Sequence, residues 1–347
     1  MTRLVHIHLG EKGGAERFFV HLVNALAEKN IEQIAFVRPD RVWRPEIERV
    51  CKVHEFHFRR GYIWQKSISW QMARIWKPFK PSGILAWMEA AARYVPENVP
   101  EDVITATRLG DYPSSTKRIR TSQHVICNTP DIAETCKKLG WDGGRTHVIS
   151  NFTDTARAKP ISRSMLDTPA DAFLVVAMGR FVHRKGFDVL LDALARIDGA
   201  YLWLLGDGEE EARLKEQATR LGIENRVRMP GWVLNPSEYV AAADAFCCPS
   251  RHEPLGNVVL EGWGQGVPVV STRNEGANWL IEDRKNGFLS PIDDVAALTA
   301  NLMHVKTHPH MMGMICENAE LALTKTYSRE SIVDQYLRFF GDEGIAK

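Results

Sequence analysis

The sequence predicts an α/β protein of two domains, each built on a doubly wound parallel sheet. Three observations carry that reading. Short apolar runs alternate with helix-length segments twice along the chain, with an irregular stretch between the two series. The loops joining them are short, which favours parallel β-α-β units whose right-handed crossovers place helices on both faces of a sheet. The length of 347 residues suits two domains of ordinary size.

The first series opens with a strand at Leu4–Leu9, the turn Gly10-Glu11-Lys12-Gly13-Gly14, and a helix from Ala15 to Lys29. Ile34–Val37 reads as the second strand, and Ile84–Met88, Val103–Thr107 and His124–Cys127 as further strands. Asn128-Thr129-Pro130 then caps a helix starting near Asp131, since Asn, Thr and Asp are favoured at helix starts. From Asn151 to Thr168 no period is visible, and this stretch reads as the linker.

The second series is more regular. Strands are expected at Phe173–Met178, Tyr201–Leu205, Val227–Met229, Ala245–Cys248 and Val267–Ser271. Helices are expected at Gly186–Arg196, Glu209–Leu221, Pro236–Ala243 and Asn257–Gln265, with a last helix at Ser328–Phe340. Ligands of such sheets bind beyond the carboxyl ends of the strands. Gly179, Gly206-Asp207-Gly208, Gly231 and Pro249-Ser250-Arg251 all fall there.

Apolar content of 44% and charged content of 25% are those of a globular protein, and a net charge of +1 argues against binding nucleic acid through bulk charge. Six cysteines without a C-x-x-C spacing fit reduced, mostly buried thiols of a cytoplasmic protein. The chain runs from Met1 straight into a strand, so no leader is expected, and no apolar run approaches a membrane span of about 20 residues.

Two segments carry chemistry. Gly179-Arg180-Phe181-Val182-His183-Arg184-Lys185-Gly186 follows a buried strand and opens a helix. Arg180 can grip phosphate oxygens in a bidentate manner and Lys185 adds a point charge, with His183 and Arg184 exposed between them. Taken alone, this reads equally well as a solvated basic loop. The second segment runs from Cys247 to Pro268 and sets Glu253 and Glu261 eight positions apart. Pro254-Leu255-Gly256-Asn257 between them opens a helix, where Gly256 admits close approach and free N–H groups face a ligand.

With Pro-Ser-Arg before Glu253 and Gly-x-Pro-Val-Val after Glu261, this segment resembles the signature of the retaining family-4 glycosyltransferases. Their GT-B fold places two Rossmann-like domains face to face. The resemblance is strongest from 173 to 290 and covers most of the chain. It implies a nucleoside-diphosphate-sugar donor and a glycan or glycolipid acceptor. It also implies that Arg180 and Lys185 bind the donor diphosphate, that Glu261 holds the ribose, and that Glu253 contacts the sugar and steadies charge on its anomeric carbon. Arg180, Lys185 and Glu253 are thus the catalytic candidates. Backbone N–H groups of Leu255, Gly256 and Asn257 would bind sugar hydroxyls or phosphate. Gly179, Gly208 and Trp232 match the family's donor-side turns, and Gly13-Gly14-Ala15-Glu16 matches its first-domain loop, with Gly13 and Gly14 toward the donor and Glu16 on the acceptor side. That loop is not a P-loop, for no Gly-Lys-Ser/Thr follows.

The implied domains are 1–155 for the acceptor, 156–326 for the nucleotide sugar, and 327–347 as a helix crossing back to the first domain. Many relatives place a sugar-contacting histidine after a first-domain strand. The equivalent stretch here, Val103 to Asp111, has none, and Arg108 or Asp111 takes its place as an acceptor-side candidate. Trp87-Met88, Arg108-Leu109-Gly110, Cys127 to Ile132, Gly140-Trp141 and Asn151-Phe152 are most similar to bacterial lipopolysaccharide-core sugar transferases.

No Asp-x-Asp occurs, so no metal is expected at the diphosphate and no other cofactor is implied. His304, His308 and His310 lack acidic or cysteine partners and read as a polar loop. From Phe56 to Met88 no acidic residue occurs, while Arg59, Arg60, Lys66, Arg74, Lys77 and Lys80 interleave with Trp64, Trp70, Trp76 and Trp87. Trp64, Ile68, Met72, Ile75 and Phe79 share one helical face. Two readings stay open: a surface for anionic lipid or a phosphorylated glycolipid, and a helix packed on the core with a solvated basic rim. The expected activity is metal-independent, retaining sugar transfer in surface-polysaccharide synthesis, in the cytoplasm or peripherally on the membrane's cytoplasmic face. The rivals are a sugar phosphorylase or epimerase on the same fold, and a sugar-nucleotide-binding subunit without turnover.

Overall fold

Runs such as Phe173–Met178 and Ile84–Trp87 have no polar face, and a strand of that kind is stable only when covered on both sides. The computed structural model describes residues 2–11, 13–59, 61–153 and 156–341, and it divides them into two units. The first takes Met1–Phe152 with Arg329–Lys347, and the second Thr153–Ser328.

The first unit contains β1 (Arg3–His8), α1 (Gly14–Glu28), β2 (Glu32–Val37), α2 (Arg44–Ile47), β3 (Lys52–Glu55), α3 (Tyr62–Phe79), β4 (Gly83–Trp87), α4 (Met88–Ala92), β5 (Ile104–Leu109), β6 (His124–Cys127), α5 (Pro130–Lys138) and β7 (Thr146–Val148). Its sheet runs β3-β2-β1-β4-β5-β6-β7, all parallel. In the second unit come β8 (Phe173–Met178), α6 (Phe187–Leu194), β9 (Ala200–Leu205), α7 (Glu211–Arg220), β10 (Val227–Gly231), α8 (Pro236–Val240), β11 (Ala245–Cys248), α9 (Asn257–Gly264), β12 (Val269–Thr272), α10 (Glu275–Leu280), β13 (Phe288–Ser290), α11 (Val295–Thr307) and α12 (Pro309–Thr326). That sheet runs β10-β9-β8-β11-β12-β13, again all parallel. The fold class is therefore the expected one, two parallel-sheet α/β units. A last helix, α13 (Arg329–Phe340), packs Ile332, Val333, Tyr336, Phe339 and Phe340 into a core of the first unit.

In each sheet the order reverses once, between β1 and β4 and between β8 and β11. At such a reversal the two following loops diverge and leave a crevice at the carboxyl ends of the strands. This places the loop after β8 beside the loop after β11, although about 70 residues separate them.

Several sequence expectations are corrected. His304, His308 and His310 do not form a loop: His304 lies in α11, His310 in α12, and the rings of His304 and His308 stack with centroids 4.4 Å apart. Helix α3 buries Ile68, Met72 and Trp76 rather than the full expected face, and Trp64 stands half exposed. The stripe is displaced because Trp76 turns inward where Ile75 was expected. The supposed linker carries a short 3-10 turn at Arg163–Leu166, braced by Arg163 bonding to the Ala242 carbonyl and to Asp244. Strands β3, β7 and β13 were not anticipated; each has only three or four residues and borrows its order from a neighbour. Lys12 and Arg60 lie outside the described residues. Among the described residues no helix is long and apolar enough to cross a membrane.

Candidate active site

The site in the second unit is built on the β8 and β11 loops. Between Arg180 and Lys185 sits Phe181, fully buried with its ring edge-on to Phe187 at 5.6 Å. Burying a phenylalanine stabilises by roughly 1.5–3 kcal/mol, so Phe181 anchors the loop while Arg180, His183 and Arg184 face outward. Arg180, His183 and Arg184 are exposed and Lys185 is half-buried.

Two glycines fix how closely the loops approach. Gly186 has φ +66°, and a β-carbon there would collide with the Pro249 carbonyl after β11. Gly208 has φ +153°, and its β-carbon would strike the Phe181 backbone. The Gly206-Asp207-Gly208 turn thus supports the Gly179–Gly186 loop, with Phe181 N–H donating to the Asp207 carbonyl at 2.6 Å.

Lys185 Nζ pairs with Glu253 Oε2, and both side chains are largely buried. Two residues assigned separately to the diphosphate and to the sugar therefore meet directly. Gly256, in the left-handed conformation, begins α9, with Leu255 buried and Asn257 half-buried. Glu261 lies one turn into α9 and is half-buried. Trp232 is 67% exposed beyond β10.

Residues beyond the candidate site set hold these groups. Arg251 grips both oxygens of Asp188 at 2.8 Å, reaches Asp293 at 2.7 Å, and donates to the His183 carbonyl at 2.7 Å. Burial alone would raise the Asp188 carboxyl, but Arg251 and the N–H groups of Asp188 and Val189 outweigh it and hold it below the usual carboxylate range. The Asp188 contact in turn raises Arg251 above its ordinary value. Glu275, at the start of α10, accepts from the Glu253 N–H at 3.1 Å and pairs with His252 at 3.0 Å. Burial opposes the Glu275 charge, yet His252 and the N–H groups of Glu275 and Glu253 keep its carboxyl below the usual range. Gly276 N–H donates to the Glu253 carbonyl at 2.8 Å, and no side chain fits there against the Leu255 backbone. Of these residues only Arg251 had a sequence signal, the Pro-Ser-Arg match; the partners stand 22 to 68 positions away.

In the first unit the expected residues gather at the carboxyl ends of β1 and β5. Gly13 has φ +145°, a conformation that suits only glycine, Gly14 starts α1, and the Glu16 carboxylate folds back over Gly10. Arg108 is not displayed to solvent: it is 1% exposed, lies over the rings of Phe18 and Trp87, and donates to Tyr336 Oη at 3.1 Å and to Asn151 Oδ1. Its aromatic cage and the α13 tyrosine, 228 residues away, explain the inward turn. Asp111 is half-buried and accepts from the Tyr112 N–H at 2.8 Å. His8 is buried among Phe19, Trp43 and Trp87, and its Nδ1 accepts from the Gly10 N–H. Burial first, then the charges of His6, Arg41 and Arg108, lower His8 to about 3. His6 falls to about 4 through burial, against a hydrogen bond to Gln33.

Residues 172–307 match the family model described as glycosyl transferases group 1. Two proteins of Rhizobium meliloti are similar over almost their whole length. The lipopolysaccharide core biosynthesis glycosyltransferase LpsE is 43% identical over 98% of this chain and 99% of its own. The corresponding LpsD is 40% identical over 99% of each. Among solved structures, Anabaena HepE in complex with UDP and glucose superposes with a TM-score of 0.84 at 22% identity, over 99% of this chain and 100% of that one.

Proposed function

The chain belongs to the group 1 glycosyl transferases, and from that premise we propose that it transfers a sugar, with retention of configuration, from a nucleoside-diphosphate-sugar to a glycolipid acceptor in lipopolysaccharide core synthesis. The observation that carries this reading is the meeting of the Gly179–Gly186 loop with Glu253 at the sheet's reversal point. Whole-length similarity to LpsE and LpsD supports the core pathway, and the UDP and glucose held by HepE support a nucleotide-sugar donor.

In this mechanism the donor diphosphate lies along the loop, where exposed Arg180 forks its oxygens. Lys185 is shared between the diphosphate and Glu253, so arriving negative charge loosens an existing pair rather than meeting bare carboxylate. As the sugar–phosphate bond breaks, Arg180 and Lys185 stabilise the leaving diphosphate, a contribution of about 10²–10³ in rate for one such donor. Glu253 faces the positive charge developing on the sugar. Its backbone is clamped by Glu275 and Gly276, so its position is set before the donor arrives. Glu261 and the first N–H groups of α9 hold the ribose and the sugar hydroxyls. The acceptor hydroxyl enters on the face the diphosphate leaves, and a diphosphate oxygen takes its proton. Two cations supply the neutralisation that a divalent metal gives other transferases, so activity is expected to survive chelation.

Nucleoside-diphosphate release from UDP-, GDP- and ADP-sugars in EDTA, alongside thermal shift, tests this. One donor that stabilises the protein and turns over in EDTA upholds the reading; no stabilisation of folded protein by any of them overturns it.

The exposed Tyr62, Ile63, Trp64 and Trp70 of α3 support work at a lipid surface on the cytoplasmic side. Arg59, Lys66 and Arg74 lie over the Trp64, Tyr62 and Trp70 rings at 4.8, 5.0 and 5.1 Å, a pairing suited to the interface of an anionic bilayer.

A further inference from the structure

A second basic site lies in the first unit, beyond the carboxyl ends of β2 and β3. A cavity of about 400 Å³ is lined by Arg38, Asp40, Arg41, His57, Phe58 and Arg59, with Pro39 between them. That volume falls within the roughly 300–1,000 Å³ of small-molecule sites. The Nε groups of Arg38 and Arg41 are buried with no hydrogen-bond partner, as is Nε of nearby Arg93. Arg38 and Arg93 both act electrostatically on Tyr94, whose hydroxyl donates to the Arg59 carbonyl at 2.8 Å. Among the described residues, none of Arg38, Arg41, Arg59 and Arg93 has an ion pair. Asp40 is the one carboxylate in the lining, and it is exposed at φ 60°.

Several guanidinium groups around one cavity repel one another, and buried N–H donors without acceptors oppose folding. Some other arginines of this unit are matched by acids, as Arg17 is by Glu46 and Arg44 by Glu55. An anion in the cavity would satisfy both deficits at once. Planar forks in this number favour a group with several equivalent oxygens, a phosphate or a carboxylate. The place suits an acceptor: Arg41 lies near enough to lower the buried His8 at the end of β1, the strand that leads into the Gly13-Gly14 loop. Arg59 also lies over Trp64, so the cavity adjoins the exposed aromatic face of α3.

We propose that Arg38, Arg41 and Arg59 form an anion subsite that grips a phosphate or carboxylate carried by the acceptor. The word acceptor rests on the transferase reading; the anion site itself does not. It is distinct from the donor loop in the second unit, which has its own cations.

The test is thermal shift with inorganic phosphate and with glucose 6-phosphate, on wild type, R38Q/R41Q, R59Q and R180A. Arg59 is exposed, so R59Q guards against a folding defect in the double variant. Phosphate should stabilise wild type and R180A alike, and its apparent affinity should fall roughly tenfold for each arginine lost. UDP stabilisation should be unchanged in R38Q/R41Q and R59Q, which separates failure of this site from failure of the donor assignment. Co-sedimentation with phosphatidylglycerol and phosphatidylcholine vesicles identifies the source. Anionic vesicle binding lost in R59Q and R38Q/R41Q, with no response to soluble phosphates, would assign the subsite to a lipid headgroup. Equal responses of wild type and the arginine variants to phosphates and vesicles alike, or loss of phosphate binding only in R180A, would overturn the proposal.

Discussion

The two sheets share one strand order, which the first extends by a seventh strand, yet they treat charge at their carboxyl ends in opposite ways. In the second unit the loops after β8 and β11 hold Arg180 in solvent and set Lys185 against Glu253, with Arg251, Glu275 and Gly276 bracing them from behind. In the first unit the corresponding end draws His6, His8 and Arg108 inside, among Phe18, Phe19, Trp43 and Trp87. Its displayed cations stand to one side, around the β2–β3 cavity and along α3. The difference teaches that a reversal point supplies a crevice and nothing more. What the crevice can do depends on which side chains the loops leave facing out.

Breaking the second unit's arrangement should have the largest effect. Lys185→Ala should lower kcat/KM for the donor by about 10²–10³, read as nucleoside-diphosphate release; an unchanged rate would remove Lys185 from the mechanism. The first unit should answer through stability instead. Arg108→Leu removes the buried donor to the Tyr336 hydroxyl and to Asn151 Oδ1, and should cost roughly 2–4 kcal/mol in denaturant unfolding. If Arg108→Lys kept full stability and lost turnover, the arginine would belong to the reaction and the contrast would fail.

The pH dependence sharpens the same contrast. An unfolded histidine titrates near 6.5, whereas folded His8 and His6 lie at about 3 and about 4. The unfolded chain therefore takes up protons that the folded one refuses. Stability is complete above pH 6.5 and falls as pH drops from 6.5 toward 4, by about 1.4 kcal/mol per unit for each histidine. Unfolding free energies measured between pH 6.5 and 5 should show that slope, to which His124, at about 4, adds, and His8→Phe should reduce it by about 1.4 kcal/mol per unit.

Arg251→Ala should raise the donor KM about tenfold, because the loop loses its brace while Arg180 and Lys185 remain. Steady-state kinetics would show KM moving more than kcat. The smallest change belongs to α3. Trp70→Ala should alter stability by less than about 0.5 kcal/mol yet weaken binding to phosphatidylglycerol vesicles in a sedimentation assay.

Much of the architecture was legible in the residues. Phe173–Met178 and Ala245–Cys248 are apolar without interruption, and only a strand covered on both faces accommodates that. The Gly179–Gly186 loop and the Glu253–Glu261 segment could be read as local strings, because backbone conformation and helix starts are local properties. Their contact could not. It requires knowing that β8 and β11 are neighbours, which crossovers far apart in the chain decide. The burial of Arg108 was hidden for the same reason. Arg108 sits at a strand end where a ligand contact is plausible, and only the distant Tyr336 and the aromatic cage turn it inward.

The sequence by itself determined the units of the structure: strand and helix identities, glycine turns, and which segments carry cations and carboxylates. These follow from periodicity and from the few residues that tolerate a left-handed or capped backbone. Tertiary structure alone decided the partners: Lys185 with Glu253, Arg251 with Asp188, Glu275 against the Glu253 backbone, and, among the described residues, Arg38 and Arg41 without an ion pair. Pairing is a matter of distance in space, and burial sets whether a charge is shown or hidden; neither quantity is written in the spacing of residues along a chain.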